Sequence, residues 1–162
     1  MAAKRAVFID KDGTLIPDIP FNVDPELITL SDDTLKGLKD LQDAGYLLFI
    51  ISNQSGVARG FYREEGLLAV EAKIQRLLQE EGLYLQGFYY CPHHPDGKVK
   101  EYAIDCHCRK PKPGLFLAAA QDHQINLSKS WMIGDILDDV EAGHRAGCQA
   151  VLVNNGNETE WE

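Results

Sequence analysis

The chain has 162 residues, 44% of them hydrophobic and 25% charged, which suits one globular domain spanning 1–162 with a full-sized core. A formal net charge of -9 is unlike the basic face of a nucleic-acid-binding protein, so no nucleic-acid partner is expected. No apolar run is long enough to span a bilayer, and Met1 to Arg5 lead into a strand instead of a signal-peptide core, so a cytoplasmic monomer without a membrane partner is expected.

Val7 to Leu15 reads Val-Phe-Ile-Asp-Lys-Asp-Gly-Thr-Leu. Apolar β-formers running into Asp10, with Gly13 as a breaker, predict a buried strand that carries carboxylates at its C-terminal end. Asp10 and Asp12 are two residues apart, and in an extended chain such side chains leave the same face. Two close carboxylates repel when both are ionised, which invites a bound cation or a raised pKa on one of them. Phosphoryl transfer uses both outcomes, with one carboxylate attacking phosphorus and its neighbour acting as general acid and then general base. An acidic Asp-Gly turn is the competing reading.

Residues 16–30 hold Pro17, Pro20 and Pro25 among Asp18, Asn22 and Asp24, which predicts a loop overhanging the Asp pair. Ser31 or Asp32 then caps a helix to about Ala44, with Leu35, Leu38 and Leu41 on one face and Gly45 as its stop. Tyr46 to Ile51 reads as a second buried strand, ending in Ser52-Asn53-Gln54-Ser55-Gly56, whose hydroxyl and backbone donors suit a phosphate. Arg63 to Glu81 is predicted as a long helix with Leu67, Val70, Ile74, Leu77 and Leu78 as its apolar stripe. Phe88 to Tyr90 follows as a short third strand, and strands alternating with helices imply right-handed βαβ units and a parallel sheet.

Cys91-Pro92-His93-His94 and Cys106-His107-Cys108 come next. Three thiolates and one imidazole make a closed tetrahedral set of the structural zinc type, and the polar loop between the two clusters has little else to bury. The tightest symmetric spacing favours His93 over His94 and His107, giving Cys91, His93, Cys106 and Cys108 as the zinc set. Reduced cysteines packed as small hydrophobes are the alternative. Arg109-Lys110-Pro111-Lys112 follows at once, so a pinned loop would hold Lys110 near developing negative charge, as electrostatic catalysis requires.

Gly114 to Gln124 is predicted as a helix, and Trp131 to Asp135 as a fourth strand that again ends in a carboxylate. Ligands of open parallel sheets bind beyond strand C-terminal ends where strand order reverses, so the first and fourth strands would bring Asp135 beside Asp10. Asp138 and Asp139 start a further helix, where acids favour the N-terminus. That helix ends near Gly147, Ala150 to Val153 is a fifth strand, and a polar tail follows. Cys148, His123 and His144 carry no motif.

The Asp pair, Ser52, Lys110 and Gly134-Asp135, in that order, resemble the four motifs of the haloacid dehalogenase (HAD) superfamily of phosphohydrolases. Ser52 to Gly60, Tyr90 to Pro95 and Cys106 to Pro111 narrow the resemblance to the D-glycero-D-manno-heptose-1,7-bisphosphate phosphatase family, over about Val7 to Val153. The resemblance implies an α/β, HAD-like Rossmannoid three-layer sandwich with a mainly parallel five-stranded sheet, a zinc-bound loop, and a short flap in place of a large cap domain. It implies Asp10 as nucleophile, Asp12 as acid and base, and Ser52 and Lys110 as catalytic partners. Mg2+ would be held by the Asp10 and Asp135 carboxylates and the Asp12 backbone carbonyl, and Asp139 would be an accessory acid. The implied substrate is a phosphorylated sugar losing its C7 phosphate, contacted by Asn53 and, through a second phosphate, by Arg59, Arg109 or Lys112. Histidinol phosphate is the rival substrate, and a zinc-stabilised binding module with a vestigial site is the non-enzyme alternative. Members of that family usually continue past the fifth strand, whereas this sequence stops nine residues after Val153.

Overall fold

In the computed structural model, which describes residues 3–158, five parallel strands form one sheet in the order β3-β2-β1-β4-β5. The strands are β1 (Ala6–Ile9), β2 (Leu47–Asn53), β3 (Leu85–Cys91), β4 (Trp131–Gly134) and β5 (Gln149–Leu152). Between them run α1 (Asp32–Asp43), α2 (Gly66–Gln79), α3 (Gly114–His123) and α4 (Leu137–Ala146).

Alternation along β1 and β2 divides the core. Ala6, Phe8, Phe49 and Ile51 face one side and pack with Phe116 of α3, Met132, and Ala142 of α4. Val7, Ile9, Leu48 and Ile50 face the other and pack with Leu38 of α1 and Val70, Ile74 and Leu78 of α2. The two central strands are therefore apolar on both faces, as a sheet covered by helices on both sides requires. The result is the expected three-layer sandwich, without a large cap. Winding runs outward from β1 through α1 and α2, then returns through α3 to β4 on the opposite flank. Strand order thus reverses between β1 and β4, which leaves a crevice at their C-terminal ends.

Element boundaries differ from expectation in instructive places. Of the two candidate caps, Ser31 is the one that caps α1, accepting from the Thr34 amide. By contrast, α2 starts at Gly66, and Arg63 to Glu65 form a turn. The Glu64 carboxylate there accepts from both the Tyr90 and Tyr102 hydroxyls, tying the turn to β3 and to the loop after it. The edge strand β3 is longer than the predicted Phe88 to Tyr90, and most of it is only half-buried, which had hidden it from an apolar-run criterion. The flap is anchored by Leu15, Ile16 and Ile28, all buried in the α1/α2 half of the core. Residues 159–162 of the predicted polar tail lie outside the described residues.

Candidate active site and metal centres

Asp10 is the first residue beyond β1, and its amide donates to the Ile133 carbonyl of β4 at 3.0 Å, which fixes it at the crevice. The chain then curls at once, with the Leu15 amide reaching back to the carbonyls of Asp10 and Lys11. Asp10 and Asp12 therefore do not share a strand face, contrary to the extended-chain expectation. Gly13 permits the curl, since its φ is +83° and a side chain there would strike the Asp135 carboxylate.

Lys110 is 3% exposed. Its ammonium lies 2.7 Å from Asp10 Oδ1, 2.6 Å from Asp139 Oδ1 and 2.9 Å from the Ile51 carbonyl, so all three of its protons have acceptors. Burial opposes its charge, but Asp10 and Asp139 outweigh that and hold its pKa above the usual lysine value. Burial, with help from Asp139 and Asp135, pushes the Asp10 carboxyl up to about 8 against the pull of Lys110.

Asp139 has no exposure, and beyond Lys110 it accepts from the amides of Asp135 and Ile136. It both caps α4 and neutralises the lysine. Its carboxylate lies with those of Asp10 and Asp135 in a group whose donor oxygens fall within 4.8 Å of one another. Since Asp139 is already engaged, Asp10 and Asp135 are the pair with hard oxygens to offer, a donor set suited to Mg2+. From the tail, Asn157 Nδ2 donates to Asp135 Oδ2 at 2.6 Å, and Asn155 Nδ2 donates to the Gly13 carbonyl at 2.5 Å. Neither asparagine was expected at the site.

Asp12 faces a cleft of about 260 Å³ that is lined also by Asp18, Phe21, Asn53, Gln54 and Tyr62. Its two oxygens receive Lys11 Nζ at 2.7 Å and Gln54 Nε2 at 3.3 Å. Ser52 Oγ accepts from the same Gln54 amide at 2.6 Å. Asn53, expected on substrate, clamps Lys110 instead: its Oδ1 accepts from the Lys110 amide and its Nδ2 donates to the Lys110 carbonyl. Its side chain therefore registers β2 against the lysine loop while still lining the cleft.

Cys91 Sγ, His93 Nδ1, Cys106 Sγ and Cys108 Sγ form a second group that could hold a metal ion. Five of their six pairs are separated by 2.7 Å (Cys91–Cys108) to 3.5 Å (Cys91–His93 and Cys106–Cys108), and all four atoms lie within 4.8 Å of one another. A tetrahedron of Zn–S bonds of about 2.3 Å has S···S edges of about 3.8 Å, so the set closes slightly tighter than a loaded site. The hydrogen bond with Cys108, followed by burial, pushes the Cys91 thiol up, a preference that a bound dication reverses. All four cysteines are free, and Cys148 packs in the α3/α4 core.

Of the cations expected around a second phosphate, Lys112 is engaged elsewhere. It pairs with Asp105 at 2.5 Å and donates to the Cys106 carbonyl, which stiffens the Cys/His loop. Arg109 has a buried Nη1 with no hydrogen-bond partner among the described residues. Arg59 Nη2 lies 3.4 Å from His94 Nε2. His94 Nδ1 accepts from the Asp96 amide, so Nε2 carries the ring proton and the Arg59 contact sets donor against donor.

A parallel sheet whose switch point gathers Asp10, Lys110, Asp135 and Asp139 beside Asp12 and Ser52 defines a HAD-superfamily phosphohydrolase. Consistent with this, a HAD-hydrolase-like family model matches residues 107–162. The chain belongs to the heptose-1,7-bisphosphate 7-phosphatase family. It is 41% identical over 154 residues to the D-glycero-beta-D-manno-heptose-1,7-bisphosphate 7-phosphatase of Pasteurella multocida, covering 94% of this chain and 83% of the relative. It is 43% identical over 161 residues to the Haemophilus ducreyi protein of the same name, covering 94% and 85%. Among solved structures it superposes on a HAD-like phosphatase of Mesorhizobium loti with TM-score 0.87 and 36% identity, covering 93% of this chain and 72% of that one. It also superposes on the D,D-heptose 1,7-bisphosphate phosphatase of B. bronchiseptica complexed with magnesium and phosphate, with TM-score 0.79 and 30% identity over 91% and 79%.

Proposed function

We propose that this chain hydrolyses the C7 phosphate of D-glycero-D-manno-heptose 1,7-bisphosphate through an aspartyl-phosphate on Asp10. The observation that carries the reading is Asp10 at the β1–β4 switch point, held by the fully engaged ammonium of Lys110. An Asp10 carboxylate oxygen attacks phosphorus while the P–O bond to C7 breaks, and Asp12 gives its proton to the leaving alkoxide. Water then gives a proton to Asp12 and attacks the same phosphorus, which releases phosphate and restores the Asp10 carboxylate. Ser52 donates its hydroxyl proton to a phosphoryl oxygen. Asp10 and Asp135, with the Asp12 backbone carbonyl, would hold Mg2+, which supplies positive charge beside the attacking carboxylate and the phosphate.

The second phosphate would lie against Arg109, Arg59 and His94. An acceptor between Arg59 Nη2 and His94 Nε2 would resolve the donor-to-donor contact there, and the partnerless Arg109 Nη1 would gain a bond. Binding energy from this remote group would orient the reacting one. Zinc on Cys91, His93, Cys106 and Cys108 is structural in this reading, since four protein ligands leave no open position for a catalytic water. The deciding experiment compares Mg2+-dependent turnover of heptose 1,7-bisphosphate with that of histidinol phosphate. Faster turnover of histidinol phosphate would overturn the substrate while leaving the Asp10 chemistry in place.

A further inference from the structure

Gln54 is 4% exposed, and its one side-chain amide touches both Asp12 and Ser52. Gln54 Nε2 donates to Asp12 Oδ2 at 3.3 Å and to Ser52 Oγ at 2.6 Å, so the amino end of the amide faces both groups. The carbonyl end then faces outward, where the Tyr62 hydroxyl donates to Oε1 at 2.7 Å. Burial and the charge of Asp12 push the Tyr62 phenol up, which keeps it a donor. The Tyr62 ring lies directly over Gly56, and a side chain at that position would overlap the ring. Residue 56 thus has no side chain where Tyr62 must lie to reach the amide.

We infer that Gln54, locked by Tyr62, is a positioning residue that sets the acid/base group Asp12 and the phosphate-binding hydroxyl of Ser52 with a single amide. One N–H of Gln54 holds Asp12 Oδ2, while Lys11 Nζ holds Oδ1, so the carboxyl plane is fixed from both ends. The second N–H occupies the Ser52 oxygen as acceptor. Among the described residues, the hydroxyl proton of Ser52 has only the Asn53 carbonyl, 3.4 Å away, as competitor and can turn to a phosphoryl oxygen. Tyr62 prevents the amide from turning over, an event that would put Oε1 against the Asp12 carboxylate. Neither Gln54 nor Tyr62 takes part in bond making.

The inference rests on the acid role of Asp12 proposed above, and the test separates the two. First-turnover rates with Mg2+ are measured on heptose 1,7-bisphosphate, whose alkoxide must be protonated, and on 4-nitrophenyl phosphate, whose leaving group needs no proton. Misplaced acid catalysis raises the ratio of nitrophenyl to sugar rate, because general acid catalysis contributes about 10²–10⁴-fold only where a proton is needed. Gln54→Met is expected to raise that ratio by about tenfold or more, and Tyr62→Phe, which keeps the fold's packing, by about threefold in the same direction. Asp12→Asn sets the upper limit. An unchanged ratio in folded Gln54→Met and Tyr62→Phe, whether both rates fall together or neither falls, overturns the inference. An unchanged ratio in Asp12→Asn overturns the acid assignment itself and the inference with it.

Discussion

Lys110 Nζ lies 2.7 Å from Asp10 Oδ1, although the two residues are 100 positions apart in the chain. Asn53 holds the backbone of Lys110 on one side, and Asp139 shares its charge on the other. The pair is thus a junction of β1, β2, the Cys/His loop and α4. Breaking a buried pair from one side costs about 3–5 kcal/mol, because the partner left behind is an uncompensated charge. Lys110→Met is expected to lower unfolding free energy by about that amount, read by urea denaturation, and to reduce kcat at least about a hundredfold. Near-wild-type stability would mean that the two aspartates do not depend on the lysine.

Asp10→Asn is expected to abolish turnover, since an amide cannot form the acyl phosphate, and to leave the fold intact by circular dichroism. The stability effect has a definite sign. The folded pKa of Asp10 stands at about 8 against an ordinary 3.8. Between those values the folded protein holds a proton that the unfolded chain releases. The stabilising contribution of this group is therefore complete below about pH 4 and is lost as pH rises through about 8. Because Asp139 still balances Lys110 in this variant, in magnesium-free buffer it should gain Tm relative to wild type, and the gain should be larger at pH 8 than at pH 5. A gain that shrinks with rising pH would contradict the assigned shift.

Purified protein should carry one equivalent of zinc in metal analysis. Cys106→Ser should lose it and melt earlier, with turnover falling through misplacement of Arg109 and Lys110. Zinc content unchanged in that variant, or absent from wild type, would remove the proposed structural role.

Arg109→Ala should weaken discrimination between heptose 1,7-bisphosphate and heptose 7-phosphate. Loss of a charge-assisted contact to the second phosphate should cost about 1.5–3 kcal/mol, or roughly 10- to 100-fold in kcat/KM for the bisphosphate. Turnover of the monophosphate should change far less. An equal loss on both substrates would place Arg109 on the reacting phosphate instead. Lys112→Ala, whose ammonium is held by Asp105 and Cys106, should leave the ratio alone.

Local sequence determined a good deal of this protein. Alternating strand and helix patterns specify a parallel sheet with β1 and β4 at its switch point, because burial on both faces demands continuous apolar strands. The spacing of Cys91, His93, Cys106 and Cys108 was enough to single out four residues whose donor atoms the fold brings together in a group that could hold a metal ion. Asp10 and Asp135 were legible as chemistry at strand ends, and Lys110 as a charge in the loop before α3. Tertiary structure alone decided how those groups meet. The curl after Ile9, closed by the Leu15 amide and permitted by Gly13, separates Asp10 from Asp12. Asn53 and Lys112 looked like substrate contacts by residue type, yet Lys110 and Asp105 engage them. Gln54 and Tyr62 carry no pattern of their own, because a neutral amide and a phenol acquire their orientation from partners that only folding brings within hydrogen-bonding distance.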